Sequence, residues 1–130
     1  MIAAVFDSNV LVSALWSKDG IPAKLLNSVL NSQIRLYYDS SIMLEYRAVL
    51  LRPRFCFASE EVEAFLQFIG AYSFSVVATP LPVSFSDASD RKFYEVAKAY
   101  LIPLVTGNKK HYPDDSDVLT PREFWERYMG

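Results

Sequence analysis

The sequence has one cysteine, Cys56, and one histidine, His111, in 130 residues. A lone cysteine excludes an internal disulfide and a thiolate zinc site, and a lone histidine excludes His-pair metal motifs. Together they leave almost no room for a nucleophilic triad. The simplest setting for such a chain is a reducing cytoplasm, with Cys56 expected as a small buried hydrophobe. No stretch approaches the roughly 20 apolar residues of a membrane span. The opening Met-Ile-Ala-Ala-Val-Phe-Asp has no basic segment ahead of it and reads as a core strand, not a signal peptide. A GxxxxGK phosphate loop, a GxGxxG fingerprint and a GxSxG elbow are all absent. An excess of one charge is lacking too: 13 basic residues face 15 acidic ones, a net charge of −2. That argues against gripping nucleic acid by bulk charge alone. It leaves open a nucleic-acid enzyme, because a bound divalent cation reverses the local field.

What is present is apolar: 52% of residues are hydrophobic, enough for one folded domain, residues 1–130, around a single core. Phe55, Phe57, Phe65, Phe68 and Tyr72 are expected to form one packed cluster. Ile2 to Phe6 is a continuous apolar run, as in a strand buried on both faces. Helices are expected from Ser8-Asn9 to Trp16, and from Pro22 through Leu25, Leu26, Val29 and Leu30. A further helix runs from the Asp39-Ser40-Ser41 caps to about Leu51, where Pro53 stops it. Ser59-Glu60-Glu61 starts another, with Val62, Phe65, Leu66, Ile69 and Tyr72 as its stripe. Asp87 opens the helix carrying Phe93, Val96, Ala97 and Tyr100. Thr120-Pro121-Arg122-Glu123 is a capping box with proline at the first helical position. Strands fill the gaps at Ile34 to Tyr38, weakly at Ser75 to Ala78, at Leu101 to Val105 and at Val118-Leu119; Thr79 to Ser86, with Pro80 and Pro82, is a loop. Strands alternating with helices imply crossover connections and a parallel sheet with helices on both faces.

Ligands of such sheets bind beyond the carboxyl ends of the strands. Acidic and polar residues sit at those points. Asp7 ends the first strand, and the bland reading is a helix cap. Asn9 is placed to orient its carboxylate. Glu45 falls on or beside the inward face of its helix, where an unpaired glutamate is unfavourable unless it meets a cation or turns neutral. Its bland reading is a salt bridge to Arg47 or Arg52. Asp87 and Asp90 serve as a cap and its first-turn partner or as ligands. Thr106-Gly107-Asn108 is a tight turn or a source of hydroxyl and amide ligands. Carboxylates gathered at one edge repel unless a cation sits between them. The residues therefore point to an acid-lined metal site.

The run Asp7-Ser8-Asn9-Val10-Leu11-Val12-Ser13-Ala14 resembles the opening of PIN domains, in particular the VapC-like toxins of toxin–antitoxin systems. Glu45 in its helix, Arg52-Pro53-Arg54-Phe55, Asp87 to Phe93, Leu104 to Asn108 and Val118 to Phe124 continue the resemblance in order along essentially the whole chain. The resemblance implies an α/β three-layer sandwich with a five-stranded parallel sheet flanked by helices, and a ribonuclease using Mg²⁺ or Mn²⁺. It maps the catalytic acids onto Asp7, Glu45 and Asp90, with Asp87 and Asn108 as further metal ligands and Asn9 and Thr106 in support. Many relatives carry Asp where this chain has Asn108, which puts a second metal in question. Arg91, Lys92, Lys109 and Lys110 are candidates for contact with RNA phosphates. The implied partners are RNA, a cognate antitoxin and a second copy of the chain. Two other readings stand: a degenerate PIN-like domain that binds RNA or antitoxin without cutting, and a receiver-type signalling domain. The second fits poorly, because Asp7 stands alone after the first strand.

Overall fold

The computed structural model describes residues 2–81 and 90–130. Ile2–Phe6 forms β1, with Ala4, Val5 and Phe6 fully buried. A strand so enclosed needs neighbours on both edges, and β1 has them. Its first half pairs in parallel with β2 (Ile34–Tyr38), aligning Ile2 with Ile34 and Ala4 with Leu36. Its second half pairs in parallel with β4 (Leu104–Val105), aligning Phe6 with Val105. Outside these lie β3 (Phe74–Ser75) and β5 (Val118–Leu119), giving one parallel sheet in the order β3-β2-β1-β4-β5. The chain winds from β1 out to β3, then returns across β1 to build β4 and β5. The strand order thus reverses between β1 and β4, the place where such sheets open a crevice at their carboxyl ends.

Among the described residues six helices flank the sheet: α1 (Ser8–Trp16), α2 (Ile21–Leu30), α3 (Ser40–Leu50), α4 (Ser59–Ala71), α5 (Arg91–Ala99) and α6 (Pro121–Phe124). Their punctuation follows the sequence. Asp39 Oδ1 accepts the Ile42 amide at 2.8 Å and caps α3. The Thr120–Glu123 capping box opens α6 with both reciprocal bonds in place. The last turn, Trp125–Met129, relaxes into a π-helix. α5 buries Phe93, Val96 and Ala97 on one face, and Phe93 packs beside Tyr46 of α3 with ring centroids 6.2 Å apart.

Several expectations need correction. The segment from Leu101 does not run as a strand to Val105. Leu101 adopts a left-handed backbone, φ 55°, and ends α5, with its own amide bonded to Lys98 O and the Ile102 amide to Ala97 O. β3 is Phe74–Ser75, not Ser75 to Ala78. Cys56 is exposed, because it too takes a left-handed conformation, φ 57°, at the end of the short 3₁₀ turn Pro53–Phe55. The aromatic residues do not form one cluster. Phe55 and Phe57 stack on each other and meet Trp16 edge-on, while Phe68 and Tyr72 pair on the exposed side of α4. The expected start of α5 at Asp87 lies outside the described residues, as does the loop from residue 82 to 86.

Candidate active site

Asp7 stands where β1 gives way to α1, its amide bonded to Val105 O at 2.9 Å across the switch point. It occupies the position before α1 but makes no capping hydrogen bond of normal geometry. Two hydroxyls donate instead to its Oδ2: Tyr112 at 2.8 Å and Thr106 at 2.9 Å. Burial pushes the Asp7 carboxyl above the usual range. The hydroxyls of Tyr112 and Thr106 and the nearby amides of Ser8 and Asn9 pull it part of the way back. Tyr112 is raised further from its ordinary value, first by burial and then by the negative charge of Asp7, so it stays a proton donor.

Thr106 and Asn9 tie the end of β4 to the start of α1. The Thr106 hydroxyl, having given its proton to Asp7, accepts from the Asn108 amide at 3.1 Å and from Asn9 Nδ2 at 3.4 Å. Asn9 Oδ1 accepts the Gly107 amide at 2.9 Å. The hydroxyl thereby uses its one donor and two acceptor positions. Thr106 accordingly holds Asp7 in place, and Asn9 braces Thr106.

Glu45 is positioned by its neighbour in sequence. Tyr46 is fully buried and its hydroxyl donates to Phe6 O at 2.6 Å, which fastens α3 to the end of β1. Glu45 then projects half-buried, with Lys92 Nζ at 3.5 Å from Oε1. Of the two arginines expected as its partners, Arg47 pairs with Glu63 at 2.9 Å, and Arg52 lines the same cleft as Glu45. Asp90 directly precedes α5, makes no capping bond to it, and faces His111 with Oδ2 to Nδ1 at 3.6 Å.

Asp7, Glu45, Asp90 and Asn108 line a single cleft of about 320 Å³. Their elements are spread over a hundred residues of sequence. A second cleft, of about 270 Å³ near the start of β2, contains no carboxylate among its lining residues. Asp87 lies outside the described residues. Among the described residues no three of His, Cys, Asp and Glu stand close enough to form a metal group. Asp7 accepts from two hydroxyls, Glu45 faces Lys92, and Asp90 lies beside His111 at 3.6 Å. The expectation that only a cation relieves their repulsion is corrected to that extent. The donor chemistry nevertheless fits a hard divalent ion. Three carboxylates and the Asn108 amide are oxygen donors, and Mg²⁺ keeps several waters and takes few protein ligands directly.

The cations expected to meet phosphate are mostly engaged within the fold. The Arg91 guanidinium donates to Leu81 O and lies 3.4 Å from Glu95. Lys92 faces Glu45, and Lys109 pairs with Glu123 at 3.0 Å. Lys110 is exposed beside them. The sequence reasoning missed Tyr112, one of eight tyrosines with no local signal. It also missed Arg52, Arg54 and Phe55 as cleft-lining residues.

A model of the PIN domain matches residues 3–110. The chain belongs to the PIN domain family. Among curated proteins, uncharacterized protein MJ1680 of Methanocaldococcus jannaschii is 30% identical, over 98% of this chain and 92% of its own. No solved structure matches the chain. Membership points to a nuclease-type function, and the matched span takes in Asp7, Glu45, Asp90 and Asn108. Among the described residues no helix is long and apolar enough to cross a membrane.

Proposed function

We propose that this PIN domain is an endoribonuclease that hydrolyses RNA phosphodiesters with Mg²⁺ or Mn²⁺, and that it serves as the toxin of a toxin–antitoxin pair in the cytoplasm. The observation that carries the hydrolytic reading is the meeting of Asp7, Glu45 and Asp90 in one cleft at the sheet's switch point. Asp7, Glu45 and Asp90 would hold the cation, with Asn108 as a neutral oxygen ligand. A divalent ion in such a site supplies an activated water and neutralises charge developing on the phosphate.

The chain's own residues set the stage for this. Tyr112 and Thr106 both donate to Oδ2 of Asp7 and fix its carboxylate where the residue lines the cleft. Tyr46 anchors the helix turn that presents Glu45. The Lys92–Glu45 contact is long and both side chains are about one-fifth exposed, so it exchanges readily for a cation. Lys110, exposed two residues after Asn108, would meet a flanking phosphate.

The test is cleavage of a labelled single-stranded RNA by purified protein. Activity is expected with Mg²⁺ or Mn²⁺ and not with chelator. Asp7→Asn and Asp90→Asn should lose at least two orders of magnitude while keeping the wild-type circular dichroism. Wild-type rates in either variant would overturn the assignment. Asn108 favours one second reading, a PIN domain that binds RNA or antitoxin without cutting, since it brings no negative charge. Strand binding with no metal-dependent cleavage would select it. An antitoxin and a second copy of the chain are the proposed protein partners, supported by exposed apolar side chains such as Leu44, Phe68 and Tyr72.

A further inference from the structure

We propose that Arg52, Arg54, Phe55 and Trp16 form a seat for an unpaired nucleobase and its flanking phosphates at the rim of the acidic cleft. This deepens the ribonuclease reading and rests on it for the identity of the strand. Three observations carry it. First, the patch belongs to the cleft: Arg52, Arg54 and Phe55 line the same space as Asp7, Glu45 and Asp90. Trp16 ends the helix that begins just after Asp7.

Second, the patch is built and not floppy. Pro53 opens a 3₁₀ turn closed by Phe55 N–H to Arg52 O at 3.0 Å and Cys56 N–H to Pro53 O at 3.1 Å. Trp16 meets Phe55 edge-on at 5.6 Å and Phe57 at 6.1 Å, and Phe55 stacks with Phe57 at 6.0 Å. Arg54 lies over the Phe55 ring at 5.0 Å. Yet Trp16 remains 60% exposed, a large aromatic surface left to water beside the site.

Third, the charge is of the right sign and is available. Among the described residues neither Arg52 nor Arg54 enters an ion pair, whereas Arg47, Arg91, Lys98, Lys109 and Arg127 all do. The carboxylates of the cleft repel a phosphate, so a strand needs positive charge at the rim to be held over them. Aromatic faces with arginines are the usual platform for unpaired bases, because every base has a face to stack while a duplex hides it.

The experiment measures binding without cleavage, in chelator, on Asp7→Asn protein. A Trp125→Phe change leaves Trp16 as the only indole, since the chain has two tryptophans. A ten-nucleotide oligoribonucleotide of mixed sequence should quench Trp16 emission, and its duplex should bind at least tenfold more weakly. Phe55→Leu should weaken single-strand binding about tenfold with the salt dependence unchanged. Arg52→Gln with Arg54→Gln should weaken it at least tenfold and flatten the log–log salt slope by about 1.4, two phosphates at about 0.7 each. Unaltered melting temperatures would show that these variants fold. Absence of quenching, equal binding of duplex, or equally tight binding of an aspartate-rich peptide would each overturn the seat. Failure of the two readings is distinguishable. Cleavage by the wild-type protein without quenching sinks the seat alone, and quenching without metal-dependent cleavage sinks the hydrolytic reading alone.

Discussion

Asp7 shows how a single residue can be costly to the fold and still be kept in place by it. Its carboxylate is 6% exposed, and burial outweighs the hydroxyls that support it. The folded protein therefore holds the Asp7 proton more tightly than the unfolded chain does. Below the ordinary carboxylate range both states are protonated and the residue costs nothing; as pH rises through the raised folded value, ionisation takes stability away. Asp7→Asn should thus melt higher than wild type at about pH 7.5 in chelator, with the gain vanishing near pH 3. Melting curves at the two pH values check the sign, and a less stable Asn variant at neutral pH would contradict it. Tyr112→Phe tests the other half of the arrangement. It removes a hydrogen bond to a buried charged group, so it should cost about 2 kcal/mol at neutral pH and less in acid, where the carboxyl is neutral.

At the scale of the element, the helix starts at Ser8, Ser40, Ser59 and Pro121 were readable, and the left-handed turns at Cys56 and Leu101 were not. Thr120-Pro121-Arg122-Glu123 announces its capping box in the residues themselves, and both bonds form. Thr120→Ala should therefore destabilise by about 1 kcal/mol in chemical denaturation. Leu101 announces nothing. Its left-handed φ of 55° serves a helix stop that usually falls to glycine, and an apolar residue next to Pro103 and Val105 reads naturally as strand. The side chain is 89% exposed and contributes no packing to repay the strain. Leu101→Gly is expected to stabilise by about 0.5–1 kcal/mol, the relief of the left-handed conformation less the added freedom of the unfolded chain. Cys56 was misjudged as buried for the same reason, since the φ of 57° that turns it outward leaves no trace in composition. Glu45 sits between these cases. Helical spacing placed it near the inward face, but its partner Lys92 lies 47 residues away and no local pattern pairs the two.

The site exists only at the scale of the whole molecule. Thr106 reaches Asp7 across 99 residues of sequence and Tyr112 across 105, because the return of the chain past β1 sets β4 beside it. Sequence patterning foresaw the parallel sheet and the edge where acids gather. It did not foresee that two hydroxyls donate to Asp7 and that Lys92 faces Glu45, nor that most of the expected phosphate-binding cations are spent on ion pairs. A cation that binds the folded protein and not the unfolded chain raises stability by mass action, by about 2.7 kcal/mol at a hundred times its dissociation constant. Titrating Mn²⁺ should therefore raise the melting temperature of the wild-type protein by several degrees, and Asp90→Asn should abolish most of the rise. Lys92→Met removes the charge that competes for Glu45, so a given rise should be reached at a lower Mn²⁺ concentration than in wild type, which is a larger rise at any one concentration. A melting temperature indifferent to millimolar Mn²⁺ would mean that the cleft holds its acids for some purpose other than a metal. A Lys92→Met titration that matches wild type would mean that the Lys92–Glu45 contact does not compete with the ion.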